Sequence, residues 1–325
     1  MSKTLPVAEH SVESLIERLR SGDVRALARA VSIVENDAPS AAEVLSGCFP
    51  HSGRALRIGV TGAPGAGKST IVDKLARHYR SAGVTVGVIA VDPTSPFTGG
   101  AILGDRIRMQ ENLSDPGFYV RSMATRGSLG GLARTTADVA SVIEASGKDV
   151  ILIETVGVGQ DEVDVVRLSD VTIVVLVPGM GDDVQSIKAG IMEIADLFVV
   201  NKADREGADR VEKEIRAMQS LANSHGDWVP PVVKTIASSG EGIDRLMEAI
   251  AQMKQWLEMD GRMAVRRKKY WRERITEMMR QALMRQVRAH GLSDTELETH
   301  AARVASKQED PYKLVPDLVA RVVKA

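Results

Sequence analysis

Residues 62–69 read GAPGAGKS, set between the β-branched run RIGVT (57–61) and a stretch with helical periodicity that begins at Ile71. The spacing G-x-x-x-x-G-K-[ST] binds phosphate only in one local context: a strand enters the loop and a helix leaves it. The glycines then let backbone N–H groups wrap a polyphosphate, and the helix adds its positive N-terminus. Gly62, Ala63, Pro64, Gly65, Ala66, Gly67, Lys68, Ser69 and Thr70 are the residues expected to line this cradle. Lys68 is expected to reach the β- and γ-phosphates, and the Ser69 hydroxyl to ligate magnesium.

The surrounding chain fits such a loop. From residue 57 to about 250, apolar β-branched runs alternate with helical segments; the strand candidates are 57–61, 84–92, 149–153, 171–177, 197–200 and 232–236. Several are almost continuously apolar, as strands covered on both faces of a parallel sheet should be. The expected fold class is α/β, a P-loop NTPase domain with a central, mostly parallel sheet and ligands at the carboxyl ends of its strands. Residues 11–47 read as short helices, with Ser11, Asp23 and Ser40 as N-cap candidates and Ser40 with Glu43 at capping-box spacing. GCFPHSG (47–53) reads as a linker. After Trp256 the chain turns helical and basic, with breaks expected near Pro311 and Pro316. The expected division is an N-terminal helical segment (1–54), a nucleotide-binding domain (55–255) and a C-terminal helical arm (256–325).

Composition excludes more than it identifies. In 325 residues, 44% are apolar and 26% charged, the globular norm, so disordered, collagenous and coiled-coil readings are disfavoured. A formal net charge of −1 gives no global attraction to nucleic acid or anionic membrane. No run of 18 apolar residues occurs, and the N-terminal twenty residues carry three glutamates and no apolar core, so neither a bilayer span nor a leader is expected and the compartment read is cytoplasmic. One cysteine, Cys48, rules out an internal disulfide and a cysteine metal site.

NKAD (201–204) follows the apolar run 197–200. A carboxylate there accepts two hydrogen bonds from N1 and the exocyclic amine of guanine, which adenine does not offer, so Asp204 is the expected discriminator. Asn201 is expected to support the loop and the Lys202 stem to lie over the base. Ser238, Ser239 and Gly240 follow the last strand candidate. They read either as backbone donors to the guanine oxygen or, through Ser239, as a helix N-cap.

ILIETVG (151–157) ends the central strand candidate. Glu154 is expected to act on magnesium through water, and the Gly157 backbone to contact the γ-phosphate. Asp92 closes the run before DPTSPFTGGAILGDRIRM (92–109) and is a candidate to orient the attacking water; Asp105 is a candidate for the metal shell. Asp92 also reads as a strand-end turn former before Pro93, and Asp105 as a helix N-cap. Gln160 is a weaker water-positioning candidate because its offset from Gly157 is unusual.

Taken together, GAPGAGKST, the 92–109 block, ETVGVGQ and NKAD resemble the MeaB/ArgK family of GTPases, and the similarity runs over nearly the whole chain. The resemblance implies a magnesium-dependent GTPase that assists adenosylcobalamin-dependent methylmalonyl-CoA mutase, gating cofactor loading and protecting the enzyme. It also implies a homodimer formed through the C-terminal arm. It maps Lys68, Ser69, Asp92, Asp105, Glu154, Asn201, Lys202 and Asp204 onto the nucleotide and magnesium site.

Two segments are candidates to transmit the nucleotide state, 93–104 and PGMGDDVQSIK (178–188). In the second, Asp182, Asp183, Gln185 and Lys188 are candidate partner contacts, although a plain solvated loop explains them as well. A transport-associated ATPase or kinase is opposed by NKAD. A metallochaperone is opposed by the scatter of the six histidines (10, 51, 78, 225, 290, 300). No D-x-H-x-x-G string is present, so cobalamin is expected on the partner. Residues 262–288 hold ten Lys or Arg and two Glu, a net +8, which leaves −9 for the rest. With seven of thirteen methionines in 247–288, that stretch reads better as a dimer seam with a solvated basic face than as an RNA surface. Arg106, Arg108, Arg121, Arg126 and Arg134 are unranked candidates for an arginine finger; without one, turnover is expected to be slow.

Overall fold

The computed structural model describes residues 11–92, 115–124, 131–155, 168–179, 194–221, 228–289 and 292–323. The chain divides into two compact units, Met1–Met263 and Ala264–Ala325.

The first unit opens with three helices, α1 (Val12–Arg20), α2 (Val24–Glu35) and α3 (Ala41–Cys48). Ser11 and Asp23 sit in extended backbone and cap α1 and α2 through their side chains. Ser40 occupies the same position before α3 but makes no cap bond. Its ψ of 2° belongs to a turn rather than to the extended entry a capping side chain needs, so the expected capping box does not form.

The core sheet has seven parallel strands in the order β3-β2-β4-β1-β5-β6-β7. They are β1 (Leu56–Gly62), β2 (Val86–Asp92), β3 (Phe118–Ala124), β4 (Val150–Glu154), β5 (Val171–Leu176), β6 (Leu197–Asn201) and β7 (Val232–Thr235). The described helices around them are α4 (Lys68–Ser81), α5 (Gly131–Ala145), α6 (Ala208–Leu221) and α7 (Ile243–Glu258). β1, β4, β5 and β6 are buried along their whole length, because helices cover both faces. On one face Ile58, Val60, Leu152, Ile173 and Val175 pack with Ile71 and Leu75 of α4 and Leu246, Ile250 and Met253 of α7. On the other, Val174, Phe198 and Val200 pack with Val211 and Ile215 of α6. Burying each such aliphatic side chain stabilises the fold by about 1.5–3 kcal/mol.

The sheet has one strand more than the apolar runs indicate. β3, FYVRSMA, carries Arg121 and Ser122 in its middle and pairs with β2 alone. It escapes a search for continuous apolar runs because Arg121 is neutralised from outside the sheet. Its Nε donates to Glu35 Oε2 of α2 at 2.8 Å, and a second guanidinium nitrogen reaches the same oxygen. Arg121 is thus paired with the N-terminal helices in this structure. The helices α2 and α3 also pack on α5.

The expected linker is likewise built in. Residues 47–48 finish α3, Phe49–His51 form a 3-10 turn, and the Gly53 amide donates to Glu144 Oε2 at 2.6 Å. Glu144 also receives Arg57 Nε at 2.7 Å in a nearly dry pair. Cys48 is fully buried, and burial pushes its thiol up to about 11. An aromatic disulfide reagent at pH 8 is therefore expected to leave the folded protein unlabelled while it labels the denatured chain at once. Labelling of the native protein at the denatured rate would contradict this packing.

Beyond a turn at Met259–Gly261, α8 (Arg262–Ala289) runs 28 residues, about 42 Å at 1.5 Å per residue. It is followed by α9 (Asp294–Ala305) and α10 (Pro311–Val323). Ser293 and Glu296 form a complete capping box at the start of α9. The break expected at Pro311 is present, but α10 continues through Pro316. The proline forfeits a bond to the Tyr312 carbonyl, and Tyr312 is 89% exposed, so water can serve that carbonyl instead. Within this unit Trp271, Ile275, Met278, Met279 and Leu283 of α8, and Tyr312, Val315 and Val319 of α10, are exposed. No described helix is long and apolar enough to cross a membrane.

Candidate functional site

The loop between β1 and α4 begins and ends on glycines that no other residue could replace. Gly62 has φ 138°, and a Cβ there would lie 2.1 Å from the Val175 carbonyl oxygen. Gly67 has φ 93°, and its Cβ would lie 2.3 Å from Asn201 Nδ2. Both are in the region that strains a side chain, and both also lack the space for one. Gly67 stands at the N-cap of α4, and no side chain caps that helix. No capping hydroxyl therefore competes with an anion at the first turn of α4.

Lys68 is 6% exposed and curls back over the loop. Its Nζ donates to the Gly62 carbonyl at 2.8 Å and to the Ala63 carbonyl at 3.0 Å. The ammonium is held at the mouth by neutral carbonyls, a placement from which it can turn to a phosphate. Ser69 donates its hydroxyl to Glu154 Oε1 at 2.6 Å. Glu154 ends β4 and is 5% exposed. A hydroxyl and a carboxylate this close, in a nearly dry position beside a phosphate loop, form a hard oxygen donor pair that fits magnesium.

The second half of the site comes from β6 and β7. Asn201 is 2% exposed, and its Nδ2 donates to the Ala66 carbonyl at 2.8 Å. Its Oδ1 accepts from the Thr235 hydroxyl and from the Ala237 amide, both at 3.1 Å. One amide side chain thus joins the phosphate loop to the segment after β7. Lys202 has a positive φ of 55°, and its Nζ donates to the Gly65 carbonyl at 2.7 Å. Asp204, two residues on, presents an exposed carboxylate.

Ser238–Gly240 form a turn rather than a helix cap. The Ser239 and Gly240 amides both donate to the Ile236 carbonyl, and α7 starts later, after Gly242. The N-cap alternative for Ser239 is thereby overturned. Of the expected backbone donors in this segment, Ser238 is the one whose amide the turn does not use.

Asp92 is the last residue of β2, in register with Ala124, and its side chain is outside what the structure describes. Asp105, Gly157, Gln160, Asp182, Asp183, Gln185 and Lys188 lie outside the described residues, as do Arg106, Arg108 and Arg126; the side chain of Arg134 is also undescribed. Among the described residues no group of three or more His, Cys, Asp or Glu is arranged to hold a metal.

A family model for the methylmalonyl-CoA mutase-associated GTPase MeaB matches residues 27–291. The chain belongs to the MeaB family.

Relatives of the chain carry GTPase names. A protein of Pyrococcus abyssi is 48% identical over 315 residues, covering 96% of this chain and 97% of its own length. The GTPase ArgK of Escherichia coli is 38% identical over 265 residues, covering 79% and 80%. A crystal structure described as a LAO/AO transport system kinase superposes with a TM-score of 0.74 at 27% identity, over 99% of this chain and 100% of that one. The family and these names make the chain a GTPase, with the P-loop α/β fold that its motifs indicate.

Three residues to which the motif reading of this MeaB-family chain gives no role are placed in the site by the tertiary structure. Thr235 holds Asn201, while Thr61 and Thr155 meet behind the loop. Thr61 directly precedes the phosphate loop and Thr155 lies within ETVGVGQ, and that is their trace in the sequence.

Proposed function

We propose that the chain binds GTP with magnesium and hydrolyses it slowly, and that the nucleotide cycle serves methylmalonyl-CoA mutase. In this reading it gates adenosylcobalamin loading of that enzyme and protects it. The observation that carries the guanine reading is Asn201, which ties the phosphate loop to the β7 turn and leaves Asp204 exposed at the rim. The base is read by Asp204, with the Lys202 stem beneath it and the Ser238 amide toward the guanine oxygen.

The residues that would hold magnesium are Ser69 directly and Glu154 through water, with Asp92 and Asp105 as further oxygen donors; bound there, the ion would neutralise charge on the β- and γ-phosphate oxygens. Lys68 leaves the Gly62 and Ala63 carbonyls for the γ-phosphate. The loop and first-turn amides hold the phosphate chain in place, and the Gly157 amide marks the γ-position. Asp92 orients the attacking water, whose oxygen forms the new bond to γ-phosphorus as the bridging oxygen leaves on GDP. Arg121 is engaged by Glu35, and without an arginine supplied to this step turnover is expected to be slow.

Segments 93–104 and 178–188 are the proposed switches, with Asp182, Asp183, Gln185 and Lys188 toward the partner. The arm from residue 256 is the proposed homodimer element, supported by the exposed apolar side chains of α8 and α10. The mutase partner is supported by the family description and by no residue chemistry of the chain itself.

The test is hydrolysis of GTP and ATP with and without purified adenosylcobalamin-dependent methylmalonyl-CoA mutase, paired with co-elution in a non-hydrolysable GTP analogue. GTP-selective turnover that the mutase accelerates, together with a complex, is the expected result. GTP-selective turnover that the mutase leaves unchanged, with no complex, would remove the chaperone role and keep the GTPase.

A further inference from the structure

The end of β4 is tied to both flanks of the phosphate loop by two adjacent residues. Side chains alternate across a strand, so Glu154 and Thr155 leave β4 on opposite faces. Glu154 meets Ser69, the residue just after Lys68. Thr155 meets Thr61, the residue just before Gly62: its hydroxyl donates to the Thr61 hydroxyl at 3.2 Å, and its amide donates to the Val60 carbonyl at 3.2 Å. The loop is thus gripped on its strand side and on its helix side by consecutive positions.

This second grip is dry. Thr61 is fully buried and Thr155 is 2% exposed. On its far side Thr61 is in register with Val174, and Val91 follows the β2 residue in register with Glu154. A hydroxyl pair between such neighbours is not what sheet packing asks for. Valine has the same branched shape, and replacing both partners of a buried hydrogen bond by apolar groups of that shape is close to neutral for stability. What the hydroxyl pair adds is direction: it fixes how the chain leaves β4 relative to the phosphate loop.

We propose that the Thr61–Thr155 bond is a positioning element that holds the end of β4, at Thr155, against the phosphate loop, and so lets the protein distinguish GTP from GDP. The proposal rests on the nucleotide reading of the site given above. Gly157, the residue expected at the γ-phosphate, is two positions beyond Thr155. When the Ser69 hydroxyl turns to nucleotide-bound magnesium, its bond to Glu154 is released. The threonine pair does not depend on that bond and keeps Thr155 against Thr61. It acts where the γ-phosphate is sensed and not where the base or the first two phosphates are held.

The experiment is equilibrium binding of fluorescent GDP and of a fluorescent non-hydrolysable GTP analogue, with thermal melting, on four proteins. These are wild type, Thr155→Val, Thr155→Ser and the double variant Thr61→Val/Thr155→Val. Thr155→Val leaves one buried hydroxyl without its partner; the double variant leaves none, so it is the folded test case. The double variant is expected to melt no lower than wild type and to keep its GDP affinity. Its affinity for the GTP analogue is expected to fall about three- to tenfold, the worth of one net hydrogen bond. Thr155→Ser, which keeps the hydroxyl, is expected to retain most of the GTP preference. An unchanged ratio of GTP-analogue to GDP affinity in the double variant would overturn the proposal, as would an equal loss for both nucleotides. Wild-type protein that binds neither nucleotide would overturn the functional reading itself, and this proposal with it.

Discussion

Lys68→Ala is expected to lower GTP hydrolysis by about 10²–10³-fold, the usual cost of removing one preorganised donor from a developing anionic charge. The Nζ bonds that are lost run to the Gly62 and Ala63 carbonyls of its own loop, so the melting temperature is measured alongside. Binding should suffer unevenly. The α4 amides still meet the inner phosphates, so GDP is expected to be retained better than a non-hydrolysable GTP analogue. Single-turnover hydrolysis and titration with both nucleotides, on protein whose melting temperature is near that of wild type, make the comparison. Wild-type turnover in this variant would refute the assignment of residues 62–70 as the nucleotide cradle.

Asp204→Asn is expected to exchange base specificity rather than abolish binding. An exposed carboxylate at the rim offers two acceptor oxygens to the donor edge of guanine. The amide replaces one acceptor by a donor, which suits a base carrying an oxygen where guanine carries its amine. Losing charge-assisted hydrogen bonds at about 1.5–3 kcal/mol should weaken GTP roughly 10²-fold, with a gain for xanthosine triphosphate. Because Asn201 makes the structural bonds to Ala66, Thr235 and Ala237, the substitution at 204 should leave melting unchanged. Competition between the two nucleotides, measured on one preparation, decides the matter. Unchanged guanine preference would remove Asp204 from base reading.

The two substitutions separate what Lys68 and Asp204 do because the structure places them on different supports. Lys68 is bonded to its own loop, whereas Asp204 stands on a segment that reaches the loop only through Asn201 and Lys202. The β1 and β6 motifs were legible as strings because each encodes its own local geometry: glycines with positive φ, a helix that follows, a carboxylate at fixed offset. The strands were legible to within a residue or two where both faces are covered, since continuous burial demands a continuous apolar run. β3 was not legible by that rule. Its Arg121 is stabilised by Glu35, 86 positions away, and no window around FYVRSMA contains that partner. Ser40 shows the converse: spacing that suits a cap does not make one when the chain enters α3 through a turn.

By itself the sequence determined the chemistry on offer: a phosphate loop, a carboxylate at the offset proposed to read guanine, an acidic strand end, and a parallel α/β frame to hold them. Each follows from side-chain type and short-range spacing, which local backbone geometry converts directly into structure. The tertiary structure alone decided which of these groups touch. Strand order brings Thr155 beside Thr61 across 94 positions and Asn201 against Ala66 across 135. Partners so distant in the chain meet only through the register of a closed-packed sheet, and that register is a property of the whole core rather than of any segment.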